Sequence, residues 1–75
     1  MKEGIVIKAK DGKFYRIRYR DTGFFHSEDK GLWRADRVEW DKDHFGVHDD
    51  GDYMITDSGQ VIAREVGWSL QREEI

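Results

Sequence analysis

Ile5-Val6-Ile7-Lys8-Ala9-Lys10-Asp11-Gly12-Lys13-Phe14-Tyr15-Arg16-Ile17-Arg18-Tyr19-Arg20 is the stretch that decides the fold. Tyr15, Ile17 and Tyr19 alternate with Phe14, Arg16, Arg18 and Arg20, the period of a strand that buries one face and wets the other. Ahead of them Ile5, Ile7 and Ala9 alternate with Val6, Lys8 and Lys10, and Asp11-Gly12 marks a turn between the two runs. A two-residue Asp-Gly turn would pair Ile7 with Arg16 and Ile5 with Arg18, mixing isoleucine and arginine on one face. A three-residue loop of Lys10, Asp11 and Gly12 instead pairs Ile7 with Tyr15 and Ile5 with Ile17. It also leaves Gly12 at the left-handed position, where no Cβ resists the conformation. The expected hairpin has a core side of Ile5, Ile7, Ala9, Tyr15, Ile17 and Tyr19. Its other side is basic: Val6, Lys8, Lys10, Phe14, Arg16, Arg18 and Arg20.

A second hairpin signal lies further on, where Asp57-Ser58-Gly59 separates Asp52-Tyr53-Met54-Ile55-Thr56 from Gln60-Val61-Ile62-Ala63-Arg64-Glu65-Val66. A three-residue turn there pairs Ile55 with Val61, Tyr53 with Ala63 and Asp52 with Arg64, with Met54 and Ile62 sharing the opposite face. Between the hairpins, Phe24-Phe25-His26 reads as a short strand before the turn Ser27-Glu28-Asp29-Lys30-Gly31. Leu32 to Asp41 reads as a strand kinked at Asp36, with one helical turn over Leu32 to Arg37 as the alternative. Residues 41 to 52 read as an acidic, glycine-punctuated loop. The tail Gly67-Trp68-Ser69-Leu70 is placed to cover the second hairpin, with a last turn through Gln71-Arg72-Glu73-Glu74 capped by Ser69 as a further reading, kept short because both acids fall late in the segment.

The chain is 75 residues long, has no cysteine and contains three tryptophans. A domain this small buries a limited fraction of its surface, and its core must rest on large aromatic and branched side chains rather than on cross-links. No linker or fixed-period repeat divides it, so residues 1–75 form one small β domain. The expected fold is all-β, a barrel of about five short antiparallel strands, SH3-like or OB-like, with room for one short helical turn. Its expected core is Ile5, Ile7, Ile17, Tyr19, Val38, Trp40, Tyr53, Ile55, Val61 and Ala63. The absence of cysteine and of any long apolar run gives the expectation of a cytoplasmic protein that does not enter a membrane.

Charge is divided unevenly along the chain. Residues 1–20 hold seven Lys or Arg against two acids, while residues 21–75 hold six against fourteen, giving +5 and −8. Such asymmetry steers an anionic partner toward one surface, or lets opposite faces of the same fold attract one another. On the basic face, Lys8, Lys10, Arg16, Arg18 and Arg20 are expected to contact phosphates while Phe14 stacks on a base, which makes single-stranded nucleic acid the first expected partner. The structural alternative is that these arginines lie over Val6 and Phe14 or pair with the chain's own acids. The functional alternative is an acidic protein surface, with the chain as an accessory domain or a homodimer formed by oppositely charged faces.

Gly4-Ile5-Val6-Ile7 followed by Phe14-Tyr15-Arg16-Ile17 resembles the first hairpin of OB-fold RNA binders of the S1 and cold-shock type. The resemblance covers that hairpin alone. It implies RNA contact through Phe14 and Arg16.

Enzymatic chemistry finds no support, because Ser27, Ser58 and Ser69 sit in turn or tail contexts and no thiol is present. Asp41, Asp43, Gly46, Asp49 and Asp52 fall at the spacing of a calcium loop. Phe45 at its fifth position and the short Asp52 at its twelfth depart from that pattern, and no helical periodicity flanks it. His44 and His48 would share a face only on a helix, which Gly46 opposes. The expectation is therefore a non-enzymatic module with no cofactor and no metal site.

Overall fold

The computed structural model describes residues 1–21, 32–48, 50–67 and, as backbone, 69–72. All their strands belong to one antiparallel sheet: β1 (Val6–Lys8), β2 (Phe14–Asp21), β3 (Leu32–Asp41), β4 (His44–Val47), β5 (Asp52–Ile55), β6 (Val61–Val66) and β7 (Ser69–Arg72). The order is β1-β2-β3-β5-β6-β7, and β4 pairs with β3 as well. β2 occupies one edge of β3, so β4 and β5 lie end to end along the other edge as a single strand interrupted at 48–51. The sheet is a meander with β1 and β7 at its two edges. No described ladder joins those edges, so the sheet is open and the expected barrel closure is not established.

The first hairpin has the expected register. Ile7 faces Tyr15, the Ile17 N–H donates to the Ile5 carbonyl, and Gly12 sits at φ 85° in the loop. The second hairpin opens as expected with Ile55 opposite Val61 and then departs. A bulge at Ile62 puts Met54 opposite Ala63, Tyr53 opposite Arg64 and Asp52 opposite Glu65. One extra residue on one strand moves every later pair by one. Met54 and Ile62 still share a face, joined there by Ala63 and Leu32.

A second bulge corrects the first hairpin's far end. Ile17 faces Ala35, but Tyr19 faces Arg34, so Arg18 is the extra residue and the alternation inverts beyond it. Tyr19 leaves the core side and is 40% exposed, and Arg20 takes its place opposite Trp33.

Other expectations are corrected as well. β3 runs unbroken through Asp36, whose backbone pairs with Arg16 in the ladder, and it forms no helical turn over 32–37. The acidic loop contains β4. Beyond Gly67 the backbone of Ser69–Arg72 pairs with β6, where a waiting row of edge N–H and C=O groups outcompetes a single helical turn with its costly nucleus. The expected strand Phe24-Phe25-His26, its following turn and Trp68 lie outside the described residues. Among the described residues no helix is long and apolar enough to cross a membrane.

The inner face of the sheet carries the main core: Ala9, Tyr15, Ile17, Trp33, Ala35, Tyr53, Ile55 and Val61, with Ile5 and Ile7 packed against it. A single sheet can bury its own face only by curling. The Lys10 N–H reaches the Gly59 carbonyl at 3.0 Å, joining the turn of the first hairpin to the turn of the second.

The outer face buries Leu32, Met54 and Ala63, and with them Arg34, the one charged side chain that is buried among the described residues. Arg34 donates Nε to Asp21 and Nη1 to both Asp52 and Glu65 at 3.0–3.2 Å. Burial alone would lower its pKa, but Glu65, Asp52 and Asp21 outweigh burial and raise it, so the guanidinium stays charged.

Candidate nucleic-acid interface

The bulge at Arg18 divides the six expected contact residues. Lys8 faces Phe14 and Val6 faces Arg16 across the first ladder, so Lys8, Phe14 and Arg16 share the outer face. Lys10 lies in the turn, tied by its backbone to Gly59. Arg18 is turned onto the acids of neighbouring strands, with Nη1 2.9 Å from Asp52 and 3.4 Å from Asp36. Arg20 is on the inner face. Its guanidinium lies 5.3 Å from the centre of the Trp33 ring and donates to Asp57 at 2.8 Å. Hydrogen bonds from Arg20 and from the Trp33 indole hold the Asp57 carboxyl below its usual range. The contiguous basic face expected from the sequence is therefore corrected: two of its arginines pair with the chain's own carboxylates. Lys8, Lys10 and Arg16 have no such side-chain partner among the described residues.

What the outer face does assemble is an aromatic ridge. Phe14 faces Val38, Val38 also faces Val47, and Trp40 faces Phe45, so these side chains point the same way. The Phe14 and Phe45 rings lie 5.4 Å apart, tilted by 50°, and Trp40 meets Phe45 edge-on at 4.9 Å. Edge-to-face packing of this kind contributes about 0.5–1.5 kcal/mol per pair beyond the area buried. It fixes the orientation of an indole that remains 57% exposed, next to Val47 at 55%.

The expected burial of Trp40 fails for a topological reason. β2 covers β3 only as far as Val38 and β5 only from Trp33 to Ala35, so beyond Val38 the strand pairs with β4 alone and projects as a two-stranded ribbon. Phe45, at the fifth position of the supposed calcium loop, belongs to that ribbon. The tip is a tight turn in which the Asp43 N–H bonds to the Asp41 carbonyl over Lys42 at φ 58°. Among the described residues no cluster of three metal-ligating side chains occurs. Across the ribbon on its other side, His48 Nε2 lies 2.8 Å from Glu39, whose carboxyl it holds below the ordinary value.

Trp40, Phe45 and Val47 are the contact candidates that the sequence reading missed. A signal was present: Val38-x-Trp40 and Phe45-x-Val47 alternate on either side of a polar turn, as strands of a hairpin do. Comparison with protein-family models, with curated proteins and with solved structures finds no match.

The ridge has two chemical capacities. An exposed ring fixed by its neighbours stacks on a nucleobase for about 1–3 kcal/mol. Cations beside it neutralise phosphates, and each one adds about −0.7 to the slope of log affinity against log salt for a single strand.

Proposed function

We propose that this chain is a non-enzymatic binding module that contacts single-stranded nucleic acid, RNA in the first instance, through the ridge of Phe14, Phe45 and Trp40. The observation that carries this reading is an exposed indole held edge-on by Phe45, whose ring packs in turn on Phe14, on the same face as Lys8 and Arg16. Lys10 supplies a third cation from the adjoining turn. Arg18 and Arg20, occupied by Asp52, Asp36 and Asp57, contribute little. The curl that joins Lys10 to Gly59 also supports reading the sheet as a partly closed SH3-like or OB-like barrel, an architecture in keeping with such a role.

The test is a titration of tryptophan fluorescence with a short mixed-sequence single-stranded RNA at several salt concentrations. Two to three phosphate contacts give a log-log slope of about −1.4 to −2.1, whereas all five cations of the original face would give about −3.5. Trp40→Ala, followed through a dye-labelled RNA because the variant lacks the reporting indole, should weaken binding about 5- to 150-fold and lower the melting temperature by several degrees at most through the lost Phe45 contact. Lys8→Ala with Arg16→Ala should weaken binding more than Arg18→Ala with Arg20→Ala. Affinity unchanged by loss of Trp40 would overturn the proposal.

A second reading rests on the exposure of Val47 beside Trp40, since an apolar edge next to an indole also suits a protein contact. In its homodimeric form, light scattering would show a dimer of the wild type and a monomer of Trp40→Ala.

A further inference from the structure

The inner face carries a second feature that the ridge does not use, a cleft of about 340 Å³. That is within the size range of small-molecule sites, roughly 300–1,000 Å³. Its polar groups are unevenly satisfied. Asp50 receives the Tyr53 hydroxyl at 2.9 Å and Arg37 Nε at 3.0 Å, both on Oδ2. Oδ1 of the same carboxylate is buried and has no hydrogen-bond partner among the described residues. Burial works against the charged form, but the Tyr53 and Arg37 donors prevail and hold the Asp50 carboxyl below its ordinary value. A buried, ionised oxygen without a donor is costly, and the site therefore favours an incoming N–H or O–H group.

The cations of the cleft have the complementary need. Arg37 gives Asp50 only its Nε, and neither its two terminal nitrogens nor the Lys13 ammonium is engaged by another described side chain. Asp11 does not satisfy them, because it accepts the Tyr15 hydroxyl and the Lys13 backbone N–H. Alongside lie the edge-on pair Tyr15 and Tyr53, 5.0 Å between ring centres, Val61, and Arg64, whose guanidinium is 6.0 Å from the centre of the Tyr53 ring. Tyr15 and Val61 are 1% exposed and Tyr53 5%, so the surface offered to a ligand is mainly polar.

We infer that this cleft binds a small, polar carboxylate bearing a hydroxyl or ammonium on the adjacent carbon. The carboxylate meets Arg37 and Lys13, and the neighbouring donor meets Asp50 Oδ1. By register, Tyr15, Arg37 and Tyr53 face away from the ridge, so the two sites are independent.

The experiment is an amide-resolved NMR titration with three compounds of one skeleton: lactate, alanine and propionate, the last lacking the donor. Lactate or alanine should shift amides within 11–15, at 37, and within 50–53 and 61–64, leaving 40–47 unmoved. Whichever of the two binds identifies the donor. Propionate should bind about tenfold more weakly, as expected for a lost hydrogen bond to a charged group. Asp50→Asn should erase that preference. Lys13→Ala, which alters an exposed turn side chain, should weaken the binding of all three compounds severalfold with no change in melting. Absence of shifts in the cleft, equal binding of propionate, or indifference to Lys13→Ala would each overturn the inference.

Discussion

Replacing Arg34 with Ala tests the charged centre of the outer face. The side chain is 8% exposed and joins carboxylates from three strands: Asp21 of β2, Asp52 of β5 and Glu65 of β6. Removing one partner of a fully buried ion pair costs about 3–5 kcal/mol, mostly because the other charge is left without compensation. Here the three carboxylates are 22%, 27% and 42% exposed. Water can take up part of the loss, which lowers the expected cost to about 2–3 kcal/mol. Against a total stability of about 4–11 kcal/mol for a domain of this length, that is a large share. At roughly 4–8 °C per kcal/mol, the melting temperature should fall by about 8–24 °C. A thermal melt followed by circular dichroism measures it, with Arg18→Ala as the control. Arg18 contacts Asp52 and Asp36 from a position that is 40% exposed, so its loss should cost less than about 1 kcal/mol. Adding Glu65→Gln to Arg34→Ala should return part of the loss, since the two residues are directly coupled. If Arg34→Ala melts within about 3 °C of wild type, the network does not hold β2, β3, β5 and β6 together.

Ile17→Ala removes a side chain that is 1% exposed beside Tyr15 and Ala35, and should cost about 2–5 kcal/mol in denaturant unfolding. Gly51 has φ 136°, and a Cβ there would lie 2.8 Å from Arg64 Cγ and 3.0 Å from the Glu65 carbonyl oxygen. Gly51→Ala should therefore destabilise more than Gly12→Ala, where φ is also positive but nothing lies within 4 Å. Burial first, and then the neighbouring Asp11 and Asp50, raise the pKa of Tyr15 and Tyr53 above the ordinary 10.0. The folded state keeps these phenols neutral while the unfolded chain ionises, so stability is complete below pH 10 and falls as pH rises above it. Tyrosinate absorbance should then rise together with unfolding. For Asp50, whose carboxyl is held below the ordinary 3.8, stability is present above that pH and is lost as pH falls through the native value. Asp50→Asn should flatten the acid limb of the melting profile.

Tyr15, Ile17 and their partners Ile5 and Ile7 were legible because strict alternation and Gly12 admit one register. The inversion at Arg18 was not, since Arg-Ile-Arg-Tyr-Arg keeps its alternation in sequence. The extra residue is favoured only once Asp36 and Asp52 stand ready to take the Arg18 guanidinium. Arg34 shows the same limit: a buried arginine needs carboxylates that residues 21, 52 and 65 supply from afar. Of the interface, Phe14, Lys8 and Arg16 were readable from the first hairpin. Trp40 was placed inside because it alternates with Val38, yet alternation says which way a side chain points and not whether anything covers it. That depends on how far β2 and β5 extend along β3, a property of ladder lengths that no local pattern encodes.

The meander has a consequence for how the molecule comes into being. Each strand is hydrogen-bonded to one close before it in the chain, so the ladders can be laid down in the order of synthesis, with short loops to close at each step. The inner core does not follow that order. Ala9, Tyr15 and Ile17 reach Ile55 and Val61 only after the second turn has been made and Lys10 has met Gly59. On the ribosome the first hairpin therefore emerges with its apolar side still open, and it waits for most of the remaining chain before that side is sealed. During this interval the nascent protein is most exposed to chaperones and to self-association.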